Sequence, residues 1–162
     1  MLIPGAIECE EVIDAETGWI ADELGTDVPL HLTAFHPDFR MLDTPPTPPT
    51  TLTRAREIAM GNGLRHVYTG NVHDLDGGTT SCTGCGAALV ARDWYELRSW
   101  GLTGDGRCRS CGTPLAGVFD GPPGKWGARR QPVRIQAPSR RGPRRARRSP
   151  GRSDGPTAPT TA

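Results

Sequence analysis

Two pairs of cysteines constrain this chain more than any other feature of its sequence. Cys82 and Cys85 form the first pair and Cys108 and Cys111 the second, and a glycine follows each pair. A stretch of 22 residues separates the pairs, which is close to the spacing of zinc ribbons. Zinc in structural sites prefers four thiolates in a closed tetrahedron that leaves no position for a substrate. The pattern therefore predicts a structural zinc site with these four ligands.

A disulfide framework is the alternative interpretation of the same cysteines. Disulfides belong to oxidising compartments, and the N-terminus lacks the basic flank and apolar core of a secretory signal peptide. No apolar run approaches the roughly 20 residues that a membrane-spanning helix needs. The sequence therefore favours metal ligation over disulfides, and it predicts a cytoplasmic protein without a membrane segment.

Residues 1–73 alternate between strand and helix patterns. The spacing of apolar residues predicts strands over 1–3, 28–35 and 64–69, a helix over 7–24, and a second helix that is capped by Thr50 or Thr51 and runs to about 60. Short loops in this order predict a parallel sheet with right-handed crossovers, which is an α/β arrangement. We expect a missing part upstream, because the chain starts on the end of a strand and three parallel strands cannot cover themselves. In the first helix, Cys9 is predicted to be a small buried residue.

Residues 74–120 are predicted to form the metal ribbon. A polar linker over 74–80 leads to antiparallel strands within 88–97, and a last strand is predicted over 115–119. The side chains predicted to pack around the metal are Trp94, Tyr95, Trp100 and Leu102. Because so small a module contains few apolar residues, metal binding is expected to supply much of its folding free energy.

The two ends of the chain carry opposite charge. Residues 1–120 contain 8 basic and 17 acidic residues, whereas residues 121–162 contain 11 basic residues and 1 acidic residue. Residues 121–136 are predicted to be extended. Residues 137–162 have no aliphatic side chain larger than alanine and are predicted to be a disordered Arg/Pro/Gly-rich tail. Such a tail either binds nucleic-acid phosphates weakly and without sequence preference or is simply solvated.

Several short motifs occur in one order along residues 1–135. They are Leu2-Ile-Pro-Gly5, Ala21-Asp-Glu-Leu-Gly25, Val28-Pro-Leu-His31, Phe35-His-Pro-Asp38, Ala55-Arg-Glu-Ile-Ala59, Val67-Tyr-Thr-Gly-Asn71, the two cysteine pairs, and Lys125-Trp-Gly-Ala-Arg-Arg-Gln-Pro-Val-Arg134. Together they resemble the C-terminal part of the AmmeMemoRadiSam system radical SAM enzymes, relatives of the pyruvate formate-lyase activating enzymes. The resemblance implies a C-terminal fragment of a partial (β/α) barrel, followed by the zinc ribbon and the basic tail.

Enzymes of this family bind a [4Fe-4S] cluster and S-adenosylmethionine, which the cluster cleaves reductively to a 5′-deoxyadenosyl radical. The cluster needs a Cys-x3-Cys-x2-Cys loop, and this sequence has none. The resemblance therefore implies no catalytic residue here and no activity of this chain alone. A candidate partner is a separate chain that carries the N-terminal half of the barrel.

The resemblance also implies two cofactor-binding positions. His36 follows the second predicted strand and corresponds to a histidine that approaches S-adenosylmethionine, while Gly5 follows the first strand at the same rim. Barrel enzymes place their chemistry at this C-terminal end of the strands. The alternative for His36 is a loop histidine that packs against Pro37 and Phe39.

Two other functions stay open from the sequence alone. The chain is a zinc-ribbon protein that binds nucleic acid through its basic tail, or an interaction module whose ribbon docks a protein partner. A closed zinc site offers a rigid surface but no chemistry, which is compatible with both.

Overall fold

A computed structural model describes residues 1–124, which lie within the compact unit Met1–Arg130. The predicted disordered tail over 137–162, and all but the first four residues of the predicted extended segment over 121–136, lie outside the described residues. The described part is a mixed α/β structure with two small sheets, one parallel and one antiparallel. No helix in residues 1–124 combines the length and the apolar character needed to cross a bilayer.

The first sheet is parallel, as predicted. Strand β1, Leu30–Thr33, pairs with strand β2, Val67–Gly70, in parallel. Leu2 adds a single parallel bridge on the opposite edge of β1, where its amide donates to the Thr33 carbonyl over 2.9 Å. The predicted first strand is thus reduced to one bridge. Residues 1–124 therefore contain a short parallel sheet of two strands and one bridge, and no closed barrel.

Two helices cover one face of this sheet. Helix α1, Glu10–Trp19, continues into a π-helical turn, Ile20–Leu24, and helix α2 spans Pro49–Gly61. The first helix begins three residues later than predicted, because Ile3 and Ile7 form an antiparallel bridge that holds residues 3–7 in a turn. Proline suits the first position of α2, where a backbone N–H would have no partner in the helix.

The core of this half lies between the sheet and the helices. Asn62, after α2, joins the two helices by donating to the Asp14 carbonyl and to the Thr17 hydroxyl on α1. Nine buried apolar side chains form one cluster: Leu2, Ile13, Leu32, Ala34, Leu52, Ala55, Ala59, Leu64 and Val67.

Cys9 does not belong to this core, so its predicted burial is wrong. Cys9 is exposed, and its thiol donates a hydrogen bond to the Glu11 carboxylate. It occupies the N-cap position of α1 and so precedes the helical stripe that faces the sheet. Cys9 therefore lies just before the helix and not on its buried face.

The second sheet forms the ribbon, and its antiparallel strands agree with the prediction. Strands β3, Thr80–Ser81, β4, Ala88–Asp93, and β5, Glu96–Trp100, lie in that order. Leu89 and Leu102 are almost fully buried and pack with Cys82 and Cys108.

The predicted packing of aromatic residues around the metal is partly wrong. Trp100 packs against the ribbon core as expected, but Trp94 and Tyr95 are 53% and 69% exposed. The two form the tight turn between β4 and β5, since Asp93 pairs directly with Glu96. A turn at this point carries both rings to the hairpin tip, away from the cysteines.

The predicted last strand over 115–119 is also wrong. Leu115 and Phe119 pack against the ribbon core, but the segment forms no strand and Val118 is fully exposed.

Gly106, at a φ of 78°, makes the turn that leads into the second cysteine pair. A Cβ there would lie 2.1 Å from the Phe119 ring. Phe119 therefore covers a turn that only glycine allows.

An ordered turn joins the two halves. The Asp74 carboxylate accepts hydrogen bonds from the Thr69 hydroxyl over 2.8 Å and from the Gly77 amide over 2.9 Å. Beyond this turn, the buried Tyr68 hydroxyl shares a 2.8 Å hydrogen bond with the hydroxyl of Thr80 on β3. The predicted polar linker over 74–80 therefore fixes the ribbon against the parallel sheet.

Candidate metal centre

The structure brings the four predicted metal ligands together. One sulfur from each of Cys82, Cys85, Cys108 and Cys111 lies within 4.8 Å of the other three. Across the two pairs, the Cys82 and Cys111 sulfurs are 3.5 Å apart and the Cys85 and Cys108 sulfurs 3.7 Å. A tetrahedral zinc ion with bonds of about 2.3 Å separates its sulfur ligands by about 3.8 Å. The cluster therefore has the dimensions of a four-thiolate metal site.

Each cysteine pair folds as a knuckle, a tight turn that directs backbone amides at sulfur. The Gly84 amide lies 3.4 Å from Cys82 Sγ, and the Ser110 amide lies 3.4 Å from Cys108 Sγ. The glycines that close the knuckles, Gly86 and Gly112, have φ of 74° and 78°, values that favour glycine. These amide donors would stabilise negative charge on metal-bound thiolates.

The remaining backbone bonds fix both knuckles to the ribbon. The Cys82 amide donates to the Ala87 carbonyl, and the Cys108 amide donates to the Thr113 carbonyl. The first cysteine of each pair is buried, whereas the second, Cys85 or Cys111, is exposed. The two knuckles are thus built alike, and each presents one protected and one accessible sulfur.

Electrostatics within the cluster separate the acidities of the exposed thiols. The Thr113 hydroxyl, 3.2 Å from Cys111 Sγ, and then the Thr113 amide lower the pKa of Cys111 to about 6. The Ala87 amide lowers the pKa of Cys85, but the Cys111 thiol, burial and the other two cysteines outweigh it and raise that pKa to about 12. Four thiolates this close repel each other strongly. A bound cation would remove that repulsion and let all four ionise together.

The donor set fits a metal ion such as zinc. All four ligand atoms are soft sulfurs, and thiolate sets of this kind suit zinc and iron, not magnesium or calcium. The five cysteines of residues 1–124 are free thiols, so no disulfide competes for the ligands. The predicted four-cysteine metal site is therefore supported by the geometry.

The contact between Gly84 and Thr113 was not predicted from the sequence. Gly84 packs so closely on Thr113, from the opposite knuckle, that a Cβ at Gly84 would lie 2.3 Å from Thr113 Oγ1. The same hydroxyl contacts the Cys111 sulfur. A glycine inside the first cysteine pair and a threonine two residues past the second do not by themselves predict a contact. The contact follows only from the packing of the two knuckles against each other.

The two predicted cofactor-binding positions lie at the carboxyl end of the parallel sheet. Gly5 follows the Leu2 bridge, has a φ of 75° and donates its amide to Glu8 Oε1. His36 follows β1 and is exposed, and its Nε2 lies 2.9 Å from the carbonyl oxygen of Asn71, which follows β2. Both positions are therefore past the carboxyl ends of parallel segments. A role in binding a cofactor stays a prediction for both.

Comparison with known proteins identifies one relative. The chain is 43% identical over 98 residues to the uncharacterized protein MJ0808 of Methanocaldococcus jannaschii. The match covers 60% of this chain but only 29% of that relative, so the chain spans less than a third of its length. No family model matches the chain, and no solved structure matches it.

Proposed function

We propose that this chain is the C-terminal portion of a radical SAM enzyme of the AmmeMemoRadiSam type, with zinc as a structural ion in its ribbon. The observation that carries the zinc assignment is the cluster of four sulfurs within 4.8 Å of one another. Four thiolates in a closed tetrahedron leave no open coordination position, so the ion holds the fold and takes no part in chemistry.

The assignment of the α/β half is based on the order of the sequence motifs and on the parallel pairing of Leu2, β1 and β2 with helices on one face. His36 and Gly5 would then approach S-adenosylmethionine, because ligands of such sheets bind past the carboxyl ends of the strands. The [4Fe-4S] cluster would be held by cysteines of another segment, since this sequence has no Cys-x3-Cys-x2-Cys loop.

Metal analysis of the purified chain tests the zinc assignment. We expect about one zinc ion per chain and no iron, and we expect the Cys108→Ser variant to contain none. Iron in stoichiometric amount, with the visible absorption of an iron–thiolate centre, would contradict the structural-zinc assignment while leaving the four ligands in place.

Sequencing the DNA upstream of Met1 tests the radical SAM assignment. We expect an open frame with a Cys-x3-Cys-x2-Cys motif, whose product restores the N-terminal half of the barrel. That product is then joined to this chain, or co-expressed with it as a candidate partner, and reconstituted anaerobically with iron and sulfide. We expect reductive cleavage of S-adenosylmethionine to 5′-deoxyadenosine. A reconstituted cluster that yields no 5′-deoxyadenosine would contradict the proposal.

The alternative of a nucleic-acid-binding ribbon is less well supported by the described surface. Arg98 pairs with Asp93 and Glu96, and Arg107 pairs with Asp105. These arginines therefore add little net positive charge to the ribbon. Filter binding to single-stranded DNA tests this alternative with the native chain and a variant whose tail arginines are replaced by glutamine. Affinity that the replacement leaves unchanged would remove the idea that the basic tail binds nucleic acid.

A further inference from the structure

A cavity of about 210 Å³ lies between the two halves of the described structure, where the end of β2 meets the β4–β5 hairpin. His31 and Tyr68 form the wall on the parallel sheet, and Arg92, Trp94 and Tyr95 form the wall on the hairpin. None of the four clustered cysteines lines this cavity. The ribbon therefore contributes side chains to a second feature that its metal site does not explain.

Arg92 contributes a guanidinium group to the lining of this cavity. Its guanidinium carbon lies 5.1 Å from the centroid of the Tyr68 ring, and the His31 ring lies 5.1 Å from the same centroid. Tyr68 is itself held in place by its buried hydrogen bond to Thr80. The guanidinium is thus fixed above a rigid aromatic ring, which lowers the entropy that it would lose on binding an anion.

The guanidinium has no acidic partner in the part of the chain that the structure describes. Within residues 1–124, the Arg92 side chain forms neither an ion pair nor a hydrogen bond, although it is half-buried. Arg98, which directly follows the partner of Arg92 on the paired strand, is by contrast bound to Asp93 and Glu96. Arg92 therefore keeps its planar set of N–H donors available to a ligand.

The carboxylates at the cavity are already occupied by their neighbours. Asp93 accepts from Arg98 over 3.0 Å and pairs with His73 over 3.2 Å. Asp74 accepts from Thr69 and from the Gly77 amide. Neither carboxylate is directed to Arg92, so an incoming anion would not have to displace either of them.

We propose that this cavity binds a small carboxylate- or phosphate-bearing molecule with a planar apolar body, and that Arg92 is its anion-binding residue. The fork of an arginine matches either oxyanion with two parallel hydrogen bonds. Trp94 and Tyr95 present exposed rings at the mouth, against which a flat apolar body packs. The volume restricts the ligand to about the size of one substituted ring.

The location agrees with this role. Thr69, Gly70 and Asn71 line the cavity at the carboxyl end of β2, where parallel sheets commonly bind ligands. The proposal concerns an oxyanion held by the ribbon hairpin, and it does not depend on the radical chemistry proposed above. A chain with no role in that chemistry would bind the same molecule.

Isothermal titration calorimetry of the full-length zinc-loaded chain tests the proposal with three probes of one size. Benzoate and phenyl phosphate each carry an oxyanion on an aromatic ring, and benzamide is the neutral analogue of benzoate. We expect at least one of the two anions to bind, and benzamide to bind at least about tenfold more weakly. Tighter binding of benzoate assigns the ligand to carboxylates, and tighter binding of phenyl phosphate assigns it to phosphates.

Three variants identify the anion-binding residue. Arg92→Gln should weaken binding of the anion at least about tenfold, since it removes the positive charge and the paired N–H donors of the guanidinium. Arg92→Lys keeps the charge and the apolar stem, so it should fold as the native chain and lose part of the affinity. Arg54→Gln makes the same charge change on α2, outside the cavity, and should leave binding unchanged.

Several results would overturn the proposal. Absence of binding for both anions at millimolar concentration, or equal binding of benzoate and benzamide, would exclude an oxyanion site. Native affinity in both Arg92 variants would assign the binding to other arginines of the chain. Zinc content and thermal unfolding of each variant are measured alongside. If they show a folding defect in Arg92→Gln, the affinity of Arg92→Lys decides whether Arg92 binds the anion.

Discussion

The two halves of the described structure are stabilised in different ways. The α/β half buries nine apolar side chains between a parallel sheet and two helices. The ribbon half buries only Leu89 and Leu102, together with two of its cysteines. At about 25 cal/mol per Å² of buried apolar surface, two leucines cannot offset the entropy of ordering some forty residues. A metal bound by the four clustered cysteines would supply the stability that the other half obtains from its core.

The difference shows how one chain combines two routes to a defined structure. The α/β half specifies its fold through the periodicity of apolar residues, whereas the ribbon specifies its fold through the spacing of four ligands. The bond between Tyr68 and Thr80 joins the halves directly, so the more stable half also supports the other.

Removal of the metal should unfold the ribbon and leave the α/β half folded. Structural zinc contributes an apparent free energy on the order of 10–16 kcal/mol at neutral pH, far more than the ribbon core supplies. Hydrogen exchange after chelation, or in Cys108→Ser, should show loss of protection across β3 to β5 and retained protection in α2. Ser110→Ala keeps the knuckle backbone and serves as the matched control. Retained protection in the chelated ribbon would contradict the contrast.

Truncation of a core leucine should affect the two halves differently. Leu52→Ala, at a site 1% exposed, should destabilise the α/β half by about 2–5 kcal/mol. Denaturant unfolding at saturating zinc and after chelation should give the same loss for this variant. Leu102→Ala in the ribbon should instead lower zinc affinity, as measured by competition with a chelator. Leu42→Ala, at a site 71% exposed, is the control and should change neither quantity.

Tyr68→Phe should weaken the connection between the halves. It removes the hydroxyl partner of the buried Thr80 side chain, and an unsatisfied buried polar group costs about 1–3 kcal/mol. Denaturant unfolding of the zinc-loaded chain measures this loss. Tyr95→Phe removes a hydroxyl from an exposed ring at the hairpin tip and should be neutral. Equal losses in both variants would show that the Tyr68 contact does not join the halves.

The ion pair between the helices should give the smallest effect and a defined pH dependence. Arg54 forms two 3.0 Å hydrogen bonds to the Glu10 carboxylate, and these lower the pKa of Glu10 from its ordinary 4.5. Because the folded pKa is the lower one, this contribution is present above about pH 4.5 and is lost as the pH falls through the folded value. Both side chains are exposed, so the contribution is small.

The difference in melting temperature between the native chain and Arg54→Gln measures the contribution of this ion pair to stability. The difference should favour the native chain at neutral pH and vanish in acid, once Glu10 is protonated. Loss of zinc in acid affects both proteins alike and cancels in the comparison. A difference that persists in acid would show that Arg54 acts through packing and not through its charge.

The sequence predicted the parts of the fold that depend on local pattern. Helix α2 lies close to its predicted position, and Leu52, Ala55 and Ala59 are buried along it. The antiparallel pairing in the ribbon and the clustering of the four cysteines also follow from patterns that the residues carry themselves. Periodicity and ligand spacing require no knowledge of distant neighbours, which is why these predictions were right.

The errors all concern contacts that pattern alone does not determine. Cys9 and Trp94 were predicted to face a core because their neighbours do, but a turn intervenes in both cases. Trp94 has a φ of 53°, a rare conformation for a large aromatic residue, and nothing in the sequence indicates a turn there. The cavity beside Arg92 was missed for a similar reason, since its walls come from strands more than twenty residues apart.

The unequal exposure of the two sulfurs in each knuckle has a consequence for the lifetime of the bound ion. Cys82 and Cys108 are shielded by the ribbon core, so a chelator or an oxidant reaches the site only past Cys85 and Cys111. Exchange of a metal bound by these four cysteines would then begin at Cys85 and Cys111, while the buried sulfurs would still hold the ion. The exposed pair would therefore control how fast the ribbon loses a metal, and the buried pair would control how tightly it binds one.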